Sequence, residues 1–321
     1  MNHQTEMVNL DDLVDKSHNY RFFKEVLNQD FVTKSLKGIK KEVGREGFGI
    51  VPLFYALLLQ FMEDLSDREC ERFLRENNAG KWFCDFTLGQ KTPDHNTISR
   101  ARKRIGTNKL SFLFSRMRDQ LQSHGLISEV FTFIDASSLI AKSSLWKERD
   151  KAIQQKYDKL NNEILPKVAT DKQAKIGCKG RGKYWYGYKR HVSVDMQSGL
   201  INKAATTPAN MTDAKGMKHV CPKQGAVYAD KGYCTKPAKD IAKSKGVHLA
   251  AIKNNNMLDK NKDLDKFHSF LRMPYERVFS KVNKRTRYRG IAKNQFLVFM
   301  QSICFNLKRL KVLDPPDLIL S

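Results

Sequence analysis

Acid is what this sequence is short of. Its 321 residues carry 34 Asp and Glu against 58 Lys and Arg, a formal net charge of +24. The shortage is uneven: residues 1–100 are slightly acidic, so the whole excess of base falls on residues 101–321. A field of that size attracts a polyanion and opposes self-association unless something neutralises it. Nucleic acid is the expected partner, and a plain basic factor such as a ribosome-associated protein would share it. Long apolar runs are also missing. The richest, Phe48 to Met62, is too short for a membrane span and is interrupted by Pro52 and Gln60, so no membrane partner is expected. The N-terminal MNHQTEMVNLDDLVDK has no apolar signal core, which predicts a cytoplasmic location. The six cysteines form no CxxC pair and read as reduced core residues, not as zinc ligands or disulfides. Internal repeats and low-complexity tracts are absent. What is present, 40% hydrophobic and 10% aromatic residues, is the composition of a folded chain.

Residues 1–125 read as a helical domain. Val51–Glu63 is an apolar helix, and in the LSDREC that follows Ser66 is placed to cap a helix through Glu71 and Phe73. In TPDHNTISRARKRIG, Asp94 or Asn96 can cap a short basic helix running through Ile98, Ala101 and Ile105. Its position after a turn resembles a helix-turn-helix reader, with Thr97, Ser99, Arg100 and Arg102 as the DNA-contacting side chains. A solvated basic helix that touches no groove fits the same pattern.

Past Gly125 the periodicity changes, and residues 126–312 read as a mixed α/β sheet flanked by helices. Val130–Ile134 is a buried-strand run ending in Asp135. Tyr186–Asp195 and Leu200–Thr206 alternate about a turn at Ser198–Gly199, as a hairpin does. Gly225–Ala229 is a short strand ending in Asp230, the helical stretch Lys236–Lys245 follows, and Val247–Ile252 is a fifth strand. One helix carries Phe267 to Lys284, and a last one runs from about Asn294 to Leu310. A charged, Gly/Lys-rich insertion occupies about 145–181, and 313–321 is a tail.

Asp135 and Asp230 each close an apolar strand, at the carboxyl edge of a sheet where ligands tend to bind. Each alone reads equally as a turn former, and the glycine two residues after Asp230 favours that. Together, in a strongly basic region, they suit a phosphate substrate. Two carboxylates at close range repel, and oxygen-only ligands with Mg²⁺ or Mn²⁺ relieve this; a two-ion site, with ions roughly 3.5–4 Å apart, activates a phosphodiester. A third acid is needed, and Glu276 on the basic C-terminal helix is the candidate. Asp171, in a polar loop, and Asp213, after TPANMT, are rivals for a metal position; helix capping is the better reading for Asp213.

At these residues the chain resembles the catalytic domain of bacterial insertion-sequence transposases of the DDE class, nearest to insertion-sequence family five. FIDASSL is similar to the first-Asp strand, GYKRHVSVDMQSGLI with TTPANMTDAK to the hairpin and its loop, VYADKGY to the second-Asp strand, and RMPYERVFSKVNKRTRYRGIAKN to the helix bearing the catalytic Glu. FNLKRL resembles the closing helix, while LSDRECERFL, WFCDF and TPDHNTISRARKRI resemble the N-terminal domain. The resemblance covers roughly 45 to 312. It implies an RNase H-like fold and metal ligation by Asp135, Asp230 and Glu276. It also implies phosphodiester hydrolysis at terminal inverted repeats of double-stranded DNA, strand transfer of the freed 3′-hydroxyl into target DNA, and a homodimer or larger assembly. The family's Tyr-Arg-Glu-Lys signature is met at Arg272 and Glu276; Ser269 and Asn283 stand at its tyrosine and lysine positions. Two other outcomes share these residues: a catalytically silent DNA-binding regulator, and a nuclease without strand transfer.

Arg272, about one helical turn before Glu276, can clamp a phosphate beside the metal, or form a plain Arg–Glu surface pair. Lys281, Lys284, Arg285, Arg287 and Arg289, interleaved with Tyr288, read as a strip that tracks a DNA backbone. Lys179, Arg181, Lys183, Lys189 and Arg190, interleaved with Tyr184, Trp185, Tyr186 and Tyr188, read the same way, with Tyr188 able to stack a base. Strand alternation turns either Tyr186 and Tyr188 or the intervening positions inward. His191 and Asp195 read as core or turn residues.

Overall fold

The computed structural model describes residues 8–39, 47–141, 169–179, 184–254, 257, 260–280 and 283–321, with the backbone alone for 276–280. These fall into two compact units, one of residues up to Gln120 together with Ile303–Ser321, the other Leu121–Ser302. The terminal residues 303–321 thus belong with the N-terminal unit rather than forming the end of the sheet domain and a separate tail.

In the first unit, α1 (Asn19–Val26), α2 (Gln29–Ser35), α3 (Ile50–Met62), α4 (Asp67–Glu76), α5 (Asn78–Phe83) and α6 (His95–Ser123) are all helical, as the sequence predicts. The apolar helix α3 is buried almost all round, which is what a helix without a polar face must be. Ser66 and Glu69 form the capping box of α4: the Ser66 N–H donates to Glu69 Oε2 at 2.7 Å and the Glu69 N–H to Ser66 Oγ at 3.3 Å. Asp94 caps α6, accepting from the Thr97 N–H at 2.7 Å, and Ile98, Ala101 and Ile105 are buried. Gly106, at φ 64°, breaks α6 where the sequence ends the basic helix. Leu320 is buried and its N–H donates to the Val26 carbonyl at 3.0 Å, so the last residues are part of this core.

The second unit is built on a six-stranded sheet: β1 (Phe131–Ile140), β2 (Lys175–Cys178), β3 (Tyr184–Asp195), β4 (Ile201–Pro208), β5 (Ala226–Ala229) and β6 (His248–Ala251). The path is β4-β3-β1-β5-β6, antiparallel from β4 to β1 and parallel from β1 to β6, with β2 end to end with β4 along the same edge of β3. This is the RNase H-like order that the sequence led us to expect. Ile134, Val227 and Ala229 face one side, packed on Met217, Tyr233 and the short helix α7 (Asp213–Gly216) with α8 (Lys236–Ser244). Phe133 and Tyr228 face the other, beneath α9 (Lys262–Ser280). Gln301 of α10 (Ile291–Leu313) bonds Arg190 on that same face.

Three expectations are corrected. Asp135 does not end its strand, because β1 stays paired with β3 for five more residues, to Ile140. The helix of Glu276 runs from Lys262 to Ser280, not to Lys284, since the main chain of Lys284 and Thr286 bonds Ile140 instead. Within the expected insertion, Lys175–Cys178 is a strand; 145–168 and Lys183 lie outside the described residues. No described helix is long and apolar enough to cross a membrane.

Candidate active site

The pairing of β1 with β5 places the two aspartates. Phe131 lies beside Ala226, Thr132 beside Val227 and Phe133 beside Tyr228, in parallel. Two residues further along, past the last paired residues, the same alternation brings Asp135 and Asp230 to one face, and the Asp230 charge is close enough to raise the Asp135 carboxyl. Beyond Phe133 the β5 side of β1 is unpaired until Ile140, whose N–H donates to the Lys284 carbonyl at 2.7 Å and whose carbonyl accepts from Thr286 at 2.9 Å. Asp135 lies in that stretch, where among the described residues β1 has no strand partner on the β5 side.

Asp230 leaves β5 and caps a 3-10 turn, Lys231–Tyr233, accepting the Gly232 N–H at 2.9 Å. The turn reading and the ligand reading are therefore compatible, since one oxygen holds the turn. Glycine is needed there: a Cβ on Gly232 would lie 3.1 Å from Asp230 Oδ1 and 3.8 Å from Asp213 Oδ2. That second distance brings Asp213 near the Asp230 turn; sequence reading has it as a rival for a metal position, with helix capping preferred. The cap of α7 is Thr212, which accepts from Lys215, while Asp213 pairs with Lys189 Nζ at 2.7 Å. Its signal in the sequence was only its place after TPANMT.

The electrostatics fit a cation site. Asp135 is half-buried, and its carboxyl is pushed up to about 7, first by burial and further by Asp230. The Ala136 N–H, donating at 2.8 Å, and the charges of Lys179 and Arg272 hold it down in part. The buried Tyr233 hydroxyl is held well above its ordinary value by burial and by Asp135, Asp213 and Asp230. A carboxylate that resists ionising beside another is what a divalent cation relieves, and the donors are all oxygen, so these residues fit Mg²⁺ or Mn²⁺. Among the described residues no three His, Cys, Asp or Glu side chains close on one metal position. The third expected ligand, the Glu276 side chain, lies outside the described residues.

Helix α9 brings the next groups. The Arg272 guanidinium lies 5.6 Å over the Phe133 ring, two residues from Asp135 on the same face, and Arg272 is 6% exposed. Tyr275 packs on Phe133 at 6.0 Å between ring centres, and its hydroxyl donates to the Met196 carbonyl. Glu276 follows four residues after Arg272 on α9. Lys284, Arg285, Arg287 and Arg289 are exposed, flanking the buried Thr286 at the far end of the β1 stretch that holds Asp135. Lys281 lies outside the described residues.

Several expected DNA contacts face inward instead. Tyr188 is fully buried, its hydroxyl donating to both Asp171 oxygens at 2.8 and 2.9 Å, so it offers no ring to a base. Asp171 also accepts from the Gly290 N–H at 3.1 Å, which makes it a bracket rather than a metal ligand. Lys189 is buried on the opposite face from Asp135 and spent on Asp213. Arg102 is tied to Asp67 and donates to Gln60 at 2.9 Å, a structural pair within its unit. Thr97 spends its N–H on Asp94 and accepts from Arg100 at 3.2 Å; Ser99 is half-buried and Arg100 exposed. His191 is buried and donates or accepts at Thr207 Oγ1, 2.8 Å away, with burial pushing it down to about 4. Asp195 gathers the N–H groups of Ser128, Glu129, Gln197 and Ser198 at a turn.

An RNase H-like sheet with paired carboxylates on its central strands is the scaffold of enzymes that cut and join nucleic-acid phosphodiesters. Comparison with known families makes this specific. The Transposase DDE domain family matches residues 128–307 and the Transposase domain (DUF772) family residues 8–104. The first covers more than half of the chain, and the chain belongs to the DDE transposases: it is a DNA transposase. This is a family whose chemistry generally runs on divalent metal. Among solved structures the chain is similar to a piggyBac transposase synaptic complex with hairpin DNA, seen by cryo-electron microscopy. The likeness has 9% identity, 92% coverage of this chain, 75% of that one and a TM-score of 0.43.

Proposed function

We propose that Asp135, Asp230 and Glu276 are the catalytic acids and hold two Mg²⁺ or Mn²⁺ ions. The observation that supports this is the β1–β5 pairing, whose register carried on by two residues brings Asp135 and Asp230 to one face, with the Asp230 charge felt at Asp135. When bound, the ions would polarise the scissile phosphate, ease loss of the attacking hydroxyl's proton and stabilise the leaving oxygen. Arg272, held over Phe133, clamps a phosphate beside them with its planar fork. The exposed Lys284, Arg285, Arg287 and Arg289 track the DNA strand, and Lys281 and Lys183, outside the described residues, are proposed as further DNA contacts.

In this reading water attacks the phosphorus at the border of a terminal inverted repeat, the P–O3′ bond breaks, and a 3′-hydroxyl is freed. That hydroxyl then attacks a target phosphodiester in line, displacing the target's 3′-oxygen, with no covalent enzyme intermediate. Two ends must be cut and joined together, which supports a homodimer or larger assembly on double-stranded DNA at the bacterial nucleoid. The N-terminal unit is the expected reader of the ends, with Arg100 its exposed base on α6.

The test is cleavage of a labelled DNA fragment holding this gene and its native flanks, in Mg²⁺, Mn²⁺ or chelator, with wild type and Asp230→Asn. Metal-dependent nicks at inverted-repeat borders, absent in the variant, are the expected result. Cutting by Asp230→Asn would remove that residue from the site.

A further inference from the structure

Two little-exposed bases are paired with acids, whereas Arg190 meets only neutral groups among the described residues. Arg102 is tied to Asp67, and Lys189 to Asp213. Arg190 is 3% exposed, more deeply buried than Lys189, yet its contacts are neutral: Nε donates to Ser137 Oγ at 3.1 Å and Nη1 to Gln301 Oε1 at 2.9 Å. Nη2 is buried and has no acceptor among the described residues. A desolvated cation without a counter-charge costs several kcal/mol, and mutation removes such groups unless they serve something.

Its place in the sheet says what that is. In the β1–β3 ladder Val192 lies opposite Asp135 and Arg190 opposite Ser137, so Arg190 shares the face of Asp135 as its diagonal neighbour. On that face Arg272 lies over Phe133, two residues before Asp135, and Arg190 bonds Ser137, two residues after it. Asp135 is thus flanked along the strand by two buried guanidiniums, and Arg190 carries an unused N–H.

We propose that Arg190 is a phosphate-binding residue of the active site, whose counter-ion is a backbone phosphate of the DNA strand engaged at Asp135, with Gln301 giving way as that phosphate arrives. The inference rests on the active-site reading above. It differs from a packing role in one respect: a fold that carries this charge for the substrate is less stable for it. A guanidinium kept for structure makes the fold more stable.

The experiment uses the full chain with Arg190→Met, which keeps the length and removes the charge, and Arg190→Lys, which keeps the charge without the fork. Asp230→Asn runs alongside. Melting temperature without DNA, affinity for the labelled flank fragment in chelator, and cleavage in Mg²⁺ or Mn²⁺ are read for each. Arg190→Met is expected to melt at or above wild type while affinity and cleavage fall at least tenfold, and Arg190→Lys to recover part of both. A neutral methylphosphonate at the engaged phosphate should weaken wild-type binding and leave Arg190→Met unaffected. A melting temperature several degrees below wild type, or affinity within twofold of wild type, overturns the proposal. Cleavage by Asp230→Asn would instead overturn the site on which it rests, and the two failures are told apart by that lane.

Discussion

Replacing Asp135, one of the proposed catalytic acids, with its amide should make this protein more stable, and only above a certain pH. In the folded chain Asp135 is pushed up to about 7 from the ordinary 3.8, by burial first and by Asp230 after it, against the pull of the Ala136 N–H, Lys179 and Arg272. In the unfolded chain it returns to the ordinary value. Between those two pH values the native state keeps a proton that the unfolded state has released, so stability falls as pH rises and the loss is complete above about pH 7. A little over three units at 1.36 kcal/mol each is at most about 4 kcal/mol. The partial exposure of Asp135 reduces that to roughly 2–3 kcal/mol. Asp135→Asn has the same shape and no charge to desolvate, so it keeps that stability. For a unit of this size the gain is of the order of 5–10 °C in melting temperature at pH 8. The assay is thermal melting of wild type and Asp135→Asn in chelator from pH 4.5 to 8.5, with the gap opening as pH rises. Adding Mg²⁺ at pH 8 should close it by raising wild type alone, because the ion binds only the folded acid pair. A gap that is absent at pH 8, reversed, or equal at both ends of the range would refute the reasoning.

Other substitutions separate structural from functional bases and rings. Arg102→Ala leaves Asp67 without its guanidinium and should destabilise the N-terminal unit by about 2 kcal/mol; DNA affinity per folded molecule, read by titration, should stay within twofold of wild type. Tyr188→Phe takes a hydroxyl from the buried Asp171 and should cost about 1–3 kcal/mol in denaturant unfolding, again without lowering DNA affinity. Gly187 has φ 152°, and a Cβ there would lie 2.2 Å from the Leu139 carbonyl oxygen and 2.7 Å from the Ala141 nitrogen. Gly187→Ala should therefore force β1 and β3 apart and yield little soluble protein, whereas an unchanged melting curve would mean that the ladder tolerates the shift.

Much of the fold was legible because local signals agreed with one another. The Ser66 cap was readable from residue type and spacing and is made as read, and of the two caps the spacing allowed, Asp94 and Asn96, Asp94 is the one made. The strands around Asp135 and Asp230 declared themselves as short apolar runs. Their juxtaposition did not, because the register of two strands far apart in the chain is a tertiary fact. Nor did the continuation of β1 past Asp135, where ASSLI is too mixed to read as a strand but has β3 to pair with. β2 escaped for a similar reason: four residues beside a Gly/Lys-rich loop carry no period.

The misplaced contacts share one cause. Alternation predicts which positions of a strand face inward only when one face is wet, and β3 is covered on both from Trp185 to Asp195. Its polar residues are inside because each finds a partner from elsewhere: Lys189 finds Asp213, His191 finds Thr207, and Tyr188 finds Asp171. A count of bases fixes the class of partner, since only a polyanion answers so large an excess. It cannot say which bases meet that partner, because this depends on where the scarce acids end up. Asp67 and Asp213 are spent on Arg102 and Lys189, whereas the exposed run at 284–289 and the buried Arg190, which meets no acid among the described residues, are proposed for DNA beside Arg272 and Arg100.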